Sequence, residues 1–154
     1  MQDERDDKPE PIRKKVFKGN STEQALLKHL MDNFEDQYKK HRDSHIEVLH
    51  WKCFNSSRKK STIVMRYKTS KTLDGKVVHQ IEDDTVYIYS KGHPEAIQNS
   101  CDKIIVDDQN NTKIFGIKEQ NEIEEKIVEM SSKFLNIIMF SQNSMSFQDY
   151  QRIN

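Results

Sequence analysis

The sequence predicts an α+β fold built on a mainly antiparallel sheet. Two observations carry this. Several runs rich in β-branched and aromatic residues follow one another with a hairpin signal among them. Helical periods precede, interrupt and follow those runs, without the regular alternation of a βαβ array.

The first stretch, MQDERDDKPEPIRKK, is charged, carries two prolines and shows no period. It reads as a flexible polar lead-in over residues 1–18. GNSTEQALLKHLMDNFEDQY follows as a helix, because Leu26, Leu27, Leu30, Met31, Phe34 and Tyr38 fall on one helical face. Asn20, Ser21 or Thr22 can cap its start, and Gly19 frees the entering backbone. HIEVLHWKCF and STIVMRYKT read as strands. TLDGK carries Asp74-Gly75, a hairpin signal, and TVYIYS is a further strand. Pro94 then opens a helix, since its missing N–H would be unbonded at a first helical position anyway. Ala96, Ile97, Cys101 and Ile104 would give that helix an inner face. VDDQNNTK is a turn by composition. EQNEIEEKIVEMSSKF is a helix with Ile123, Ile127, Met130 and Phe134 at helical spacing, and LNIIMFS is a final strand. The tail QNSMSFQDYQRIN is indistinct.

The chain has 154 residues, which suits one domain with one core. Hydrophobic residues make up 34% and charged residues 32%, as in a soluble chain dominated by its surface. The formal net charge is zero, so electrostatics gives no reason to expect nucleic acid or an acidic membrane as partner. No apolar run approaches the ~20 residues needed to cross a bilayer. The longest, FLNIIMF at 134–140, fits a buried strand. The first residues carry no secretory signal. Cys53 and Cys101 are too few for a disulfide framework and read as reduced and cytosolic. The histidines form no metal-ligand pattern, so no metal is assigned.

Three stretches can carry chemistry, and each has a plainer reading. In CFNSSRKKSTIV, Phe54 precedes Arg58, Lys59 and Lys60. A ring beside cations suits a nucleotide, whose base stacks while its phosphates meet the charge. The same residues make a strand end and a solvated basic turn. In SKGHPE, Lys91 is a point charge suited to phosphate and Gly92 lets backbone approach a ligand closely. The alternative is an ordinary strand-to-helix turn. In GNSTEQAL, Glu23 lies in the first helical turn, where a carboxylate favours the helix dipole with no further role.

Order and spacing add to this. Gly19-Asn20-x-Thr22-Glu23-x-Ala25-Leu26-Leu27 comes first. Phe54-Asn55-Ser56-x-Arg58-Lys59 follows. A strand ending in Ser90-Lys91-Gly92 comes next, with Glu95, Ile97 and Cys101 behind it, and a later helix leads into an apolar strand. This resembles the nucleotide-binding domain of P-type cation pumps, closest to the calcium-transporting class and its plasma-membrane type, over residues 19–147. The resemblance implies a twisted antiparallel sheet flanked by helices, with residues 19–154 as the nucleotide-binding domain. It implies ATP as ligand, with Mg2+ in the parent pump, and the pump's phosphorylation and actuator domains as partners. It places the segment at the cytosolic face of a plasma or internal membrane, without insertion of its own. Phe54 would stack on adenine, and Glu23 would sit near the adenine amino group. Lys59 and Lys91 would line the pocket, and Gly92 would give clearance.

The departures from the family pattern are specific. His93 stands where the family usually has a small residue. Lys60 and Ser61 stand in place of Ser-Met. Phe134-Leu135-Asn136 stand where Gly-Leu-Arg supplies a phosphate-binding arginine. A charge-assisted hydrogen bond is worth about 1.5–3 kcal/mol, so Asn136 should weaken ATP roughly tenfold to a hundredfold. The chain also lacks the Asp-Lys-Thr-Gly-Thr phosphate acceptor and every transmembrane helix. The expectation is therefore a piece of a pump, or a relic of one, that holds ATP for an aspartate on a separate domain. Two alternatives stand: a non-catalytic interaction or regulatory module that kept the fold, and an unrelated α+β binding domain whose motifs match by chance.

Overall fold

The computed structural model describes residues 19–44, 46–73, 76–81 and 84–153. The expected lead-in, and Asp74 and Gly75, lie outside the described residues. The chain divides into two units between Asp43 and Ser44.

The first unit carries helix α1 (Ser21–Ser44). Asn20 is its cap: the Asn20 Oδ1 accepts the Glu23 N–H at 2.9 Å, and the Asn20 carbonyl accepts the Gln24 N–H at 2.9 Å. Gly19, at φ 133°, has a backbone conformation that side-chain-bearing residues rarely adopt. At Phe34 the backbone leaves helical geometry (φ −140°, ψ 32°), so α1 is two helical stretches across a kink. Of the expected apolar stripe, Leu26, Leu27 and Met31 are half-buried while Leu30 and Phe34 are exposed. The Tyr38 side chain lies outside the described residues.

The second unit is a twisted sheet problem solved by hairpins. Strands β1 (Ile46–Asn55), β2 (Lys60–Leu73), β3 (Lys76–Ile81), β4 (Thr85–Gly92) and β7 (Met139–Ser146) run in the order β1-β2-β4-β7, with β3 added to β2. Every pairing is antiparallel. Leu73 faces Lys76, so β2 and β3 form the hairpin that the Asp-Gly pair predicts. Strands β5 (Lys103–Ile105) and β6 (Thr112–Ile114) make a separate antiparallel pair. Three helices accompany them: α2 (Pro94–Gln98), α3 (Ile117–Ser132) and α4 (Phe147–Ile153). The α+β class with a mainly antiparallel sheet is the architecture found.

One face of the large sheet carries most of the core, and Met65 is buried on the other. Val64 pairs with Ile88, and Val86 with Met145, on the face where α2 packs against β4 and β7. Val64, Val86, Ile97 and Phe115 are buried, with Val86 and Ile97 sealed completely. Thr62 and Ser90 share a hydrogen bond of 2.8 Å there. The Arg66 guanidinium lies 4.0 Å from the Phe147 ring of α4.

Four expectations need correction. Helix α2 ends at Gln98, so Cys101 lies beyond it and Ile104 belongs to β5, and neither is on its inner face. Phe134 is outside α3, is 97% exposed and has φ 58°. The Phe134 N–H reaches the Ser131 carbonyl at 3.0 Å and the Leu135 N–H reaches that of Met130 at 3.2 Å. That pair of bonds is a Schellman end, whose left-handed position normally takes glycine. The run 134–140 is not a buried strand. Strand β7 begins at Met139 and continues through polar residues to Ser146, because its whole length pairs with β4. The tail then forms α4, capped by the Ser146 Oγ, which accepts the Asp149 N–H at 3.0 Å.

The predicted turn between β5 and β6 is organised by Asp107. Its carboxylate accepts the backbone N–H of Gln109 and Asn111, each at 3.0 Å, and the Asn111 side chain at 2.7 Å. These bonds, chiefly from Asn111, hold the Asp107 carboxyl below its ordinary range. Among the described residues no helix is long and apolar enough to cross a membrane.

Candidate functional site

The β1–β2 hairpin sets the site. Lys52 pairs with Thr62 and Asn55 with Lys60, so Cys53 and Phe54 together oppose Ser61. Two residues against one make a β-bulge, which re-aims side chains. The turn is tied by Asn55. Its Oδ1 accepts the N–H of Ser57 at 2.8 Å and of Arg58 at 3.2 Å, and its carbonyl accepts the Lys59 N–H at 2.7 Å. The Arg58 Nη2 donates back to the Cys53 carbonyl at 2.9 Å, alongside the bulge.

Lys59 adopts the left-handed conformation (φ 53°), at a cost of about 1–2 kcal/mol for a residue with a Cβ. That conformation turns its carbonyl to the His93 N–H, 2.9 Å away. A Cβ on Gly92 would lie 2.4 Å from the same Lys59 oxygen and 2.7 Å from the Lys60 Cβ. The clearance at Gly92 is therefore filled by the Lys59–Lys60 backbone. The hairpin turn and the end of β4 interlock there, and this fixes Lys59 and Lys91 relative to each other.

Register assembles the rest. Ser61 pairs with Lys91, and Lys91 pairs with Phe140. Paired residues share a face. Phe54, Ser61, Lys91 and Phe140 thus form one row across four strands, on the face opposite α2. Phe54 is 63% and Phe140 60% exposed, while Ser61 is buried at 9%. Lys91 is half-buried. Ser61 is small, so the row dips between two projecting rings. One step along the strands lies a second row, in which Trp51 pairs with Ile63 and Ile63 with Tyr89. Tyr67 meets Tyr87 edge-on at 5.0 Å, and Tyr87 stacks with Tyr89 at 6.3 Å. Burial, then the hydrogen bond with Tyr67, pushes the Tyr89 hydroxyl above its ordinary range.

Lys91 is the cation of the row itself, whereas the Lys59 side chain turns toward α2. Lys59 Nζ lies 3.9 Å from Glu95 Oε2, with both side chains well exposed. Such a pair is worth about 0–1 kcal/mol, so an anionic ligand can displace Glu95. Burial raises the Cys101 thiol, with a hydrogen bond to Ser141 opposing it, which leaves Cys101 a poor nucleophile.

Of the residues predicted from sequence, Phe54 and Lys91 fall in one row, while Gly92 meets the Lys59–Lys60 backbone at its end and the Lys59 side chain turns to Glu95 of α2. Glu23 stands on α1, in the first unit, as its third helical residue. His93 is exposed and caps α2 through backbone alone, with no side-chain bond. Asn136 is exposed on the segment between α3 and β7. Sequence reasoning missed Trp51 and Phe140. Strict alternation puts Trp51 and Phe54 on opposite faces, and only the bulge reverses this. An exposed ring, a small buried neighbour and a cation next to it can seat a planar base that is joined to an anionic group. Among the described residues no group of three or more His, Cys, Asp or Glu could hold a metal ion.

Residues 3–153 match the family model described as P-type ATPase, cytoplasmic domain N. No curated protein matches the chain.

Proposed function

The chain belongs to the family of cytoplasmic N domains of P-type ATPases, and on that premise we propose that it binds ATP on the Phe54–Ser61–Lys91 row and positions it for an aspartate on a separate domain. The observation that carries this is the row itself: an exposed ring, a recess and a cation aligned by strand register. Phe54 stacks on the adenine. Lys91 neutralises charge along the ribose-phosphate side, and Lys59 joins it on leaving Glu95. Gly92 acts indirectly, by locking the corner that carries both lysines. Positioning of this kind is most of what a nucleotide domain can add to phosphoryl transfer. Magnesium arrives on the phosphates within the parent pump. The motif likeness supports a plasma-membrane-type calcium transporter as that pump, with its phosphorylation and actuator domains as partners. Family membership removes the reading of a chance likeness.

Asn136 supports a base-dominated mode, because no cation stands where the family's arginine would grip phosphate. ATP, ADP and AMP should then bind with similar affinity in calorimetry, and Phe54→Ala should cost about 1–3 kcal/mol. A strong preference for ATP over AMP would refute the base-dominated mode. The same Asn136, with His93 and Ser61, favours a second reading, a module that kept the fold and lost the nucleotide. Absence of binding by all three nucleotides would select it.

A further inference from the structure

We infer that Trp51 is a second stacking residue of this site and holds the nucleobase against Phe54. The inference rests on the reading of the Phe54 row as the nucleotide site and names the contact on the base's other side. Trp51 is 67% exposed, beside Phe54 at 63%. An aromatic ring left in water on a strand is not there for the core. The two rings are brought to one face by the bulge: Trp51 opposes Ile63, and the bulged pair Cys53–Phe54 opposes Ser61. Ile63 and Ser61 are two residues apart on β2. In an antiparallel strand that is about 6.8 Å. A base between two rings needs twice the stacking distance of about 3.4 Å, which is the same length. The two positions are thus spaced for one planar base inserted edge-first between them. Lys91 lies one strand beyond Ser61, on the side where the sugar and phosphates would leave. Base–aromatic stacking tolerates any base, so the pair adds grip without choosing adenine over other bases.

The test uses the full chain and AMP. Trp51 is the only tryptophan, so its fluorescence reports this position alone. AMP should change that fluorescence saturably, with the midpoint found by calorimetry, and inorganic tripolyphosphate should not. Trp51→Ala should weaken AMP roughly tenfold, the scale of losing one stacked ring, and Trp51→Phe should restore most of the affinity. If Phe54→Ala weakens AMP while Trp51→Ala does not, the second ring is refuted and the site stands. A loss in Trp51→Ala that Trp51→Phe does not restore also overturns it. If the wild-type chain binds no AMP, the site and the second ring fall together.

Discussion

Replacing Gly92 with alanine would put a Cβ 2.4 Å from the Lys59 carbonyl oxygen and 2.8 Å from the Lys60 Cα. Ordinary contact begins at 3.4 Å, so backbone must move by 1.0 Å. Neither obstacle is the end of a flexible side chain. Lys59 is already in a left-handed conformation, and its carbonyl accepts the His93 N–H at 2.9 Å. Overpacking costs about 1–3 kcal/mol, and loss of that hydrogen bond adds about 0.5–1.5 kcal/mol. The stiffer unfolded chain returns about 0.4–1 kcal/mol. The net expectation is a loss of about 0.5–4 kcal/mol, read as a lower urea midpoint with an unchanged slope. Nucleotide affinity should fall too, because the corner holding Lys59 and Lys91 is displaced. The reasoning fails if Gly92→Ala keeps wild-type stability and loses only nucleotide. That result would mean Gly92 makes room for ligand rather than for Lys59.

Phe134→Gly should stabilise the chain by about 0.5–1 kcal/mol. It relieves a left-handed strain of about 1–2 kcal/mol against the extra entropy of glycine, and the 97% exposed ring gives up no packing; a lower urea midpoint would contradict the Schellman assignment. Glu119 accepts the Gly116 N–H at 3.1 Å at the start of α3, and Lys113 pairs with it at 3.0 Å. Lys113 is the main cause holding its carboxyl below the ordinary range. A depressed folded pKa contributes stability above the unfolded value and loses it as pH falls through the folded one. Glu119→Gln should therefore lower the urea midpoint at pH 7, and the gap to wild type should shrink as pH falls below the ordinary glutamate range; a gap that does not change with pH would refute the charge argument.

Strands β1, β2 and β4, the β2–β3 hairpin, the Asn20 cap and the Pro94 helix start could be read from local residue chemistry, because local chemistry decides them, whereas β5 and β6 could not. What could not be read depended on pairing. The bulge at Cys53–Phe54 exists only against Ser61, and it is what brings Trp51 and Phe54 to one face. Phe134 fits the 3.6-residue period with Ile127 and Met130, yet the period says nothing about where a helix ends. The polar half of β7 looked like a tail because its strand character comes from β4. Gly92 was found from sequence as a place of close approach. The approaching group proved to be the chain's own carbonyl.

Amide chemical shifts of the labelled full chain, followed as ATP is added, test the nucleotide site most directly. The account predicts saturable shifts centred on Phe54, Ser61 and Lys91, with smaller ones at Lys59 and Gly92. Shifts centred on α3 or the β5–β6 pair, or none at saturating ATP, would contradict it.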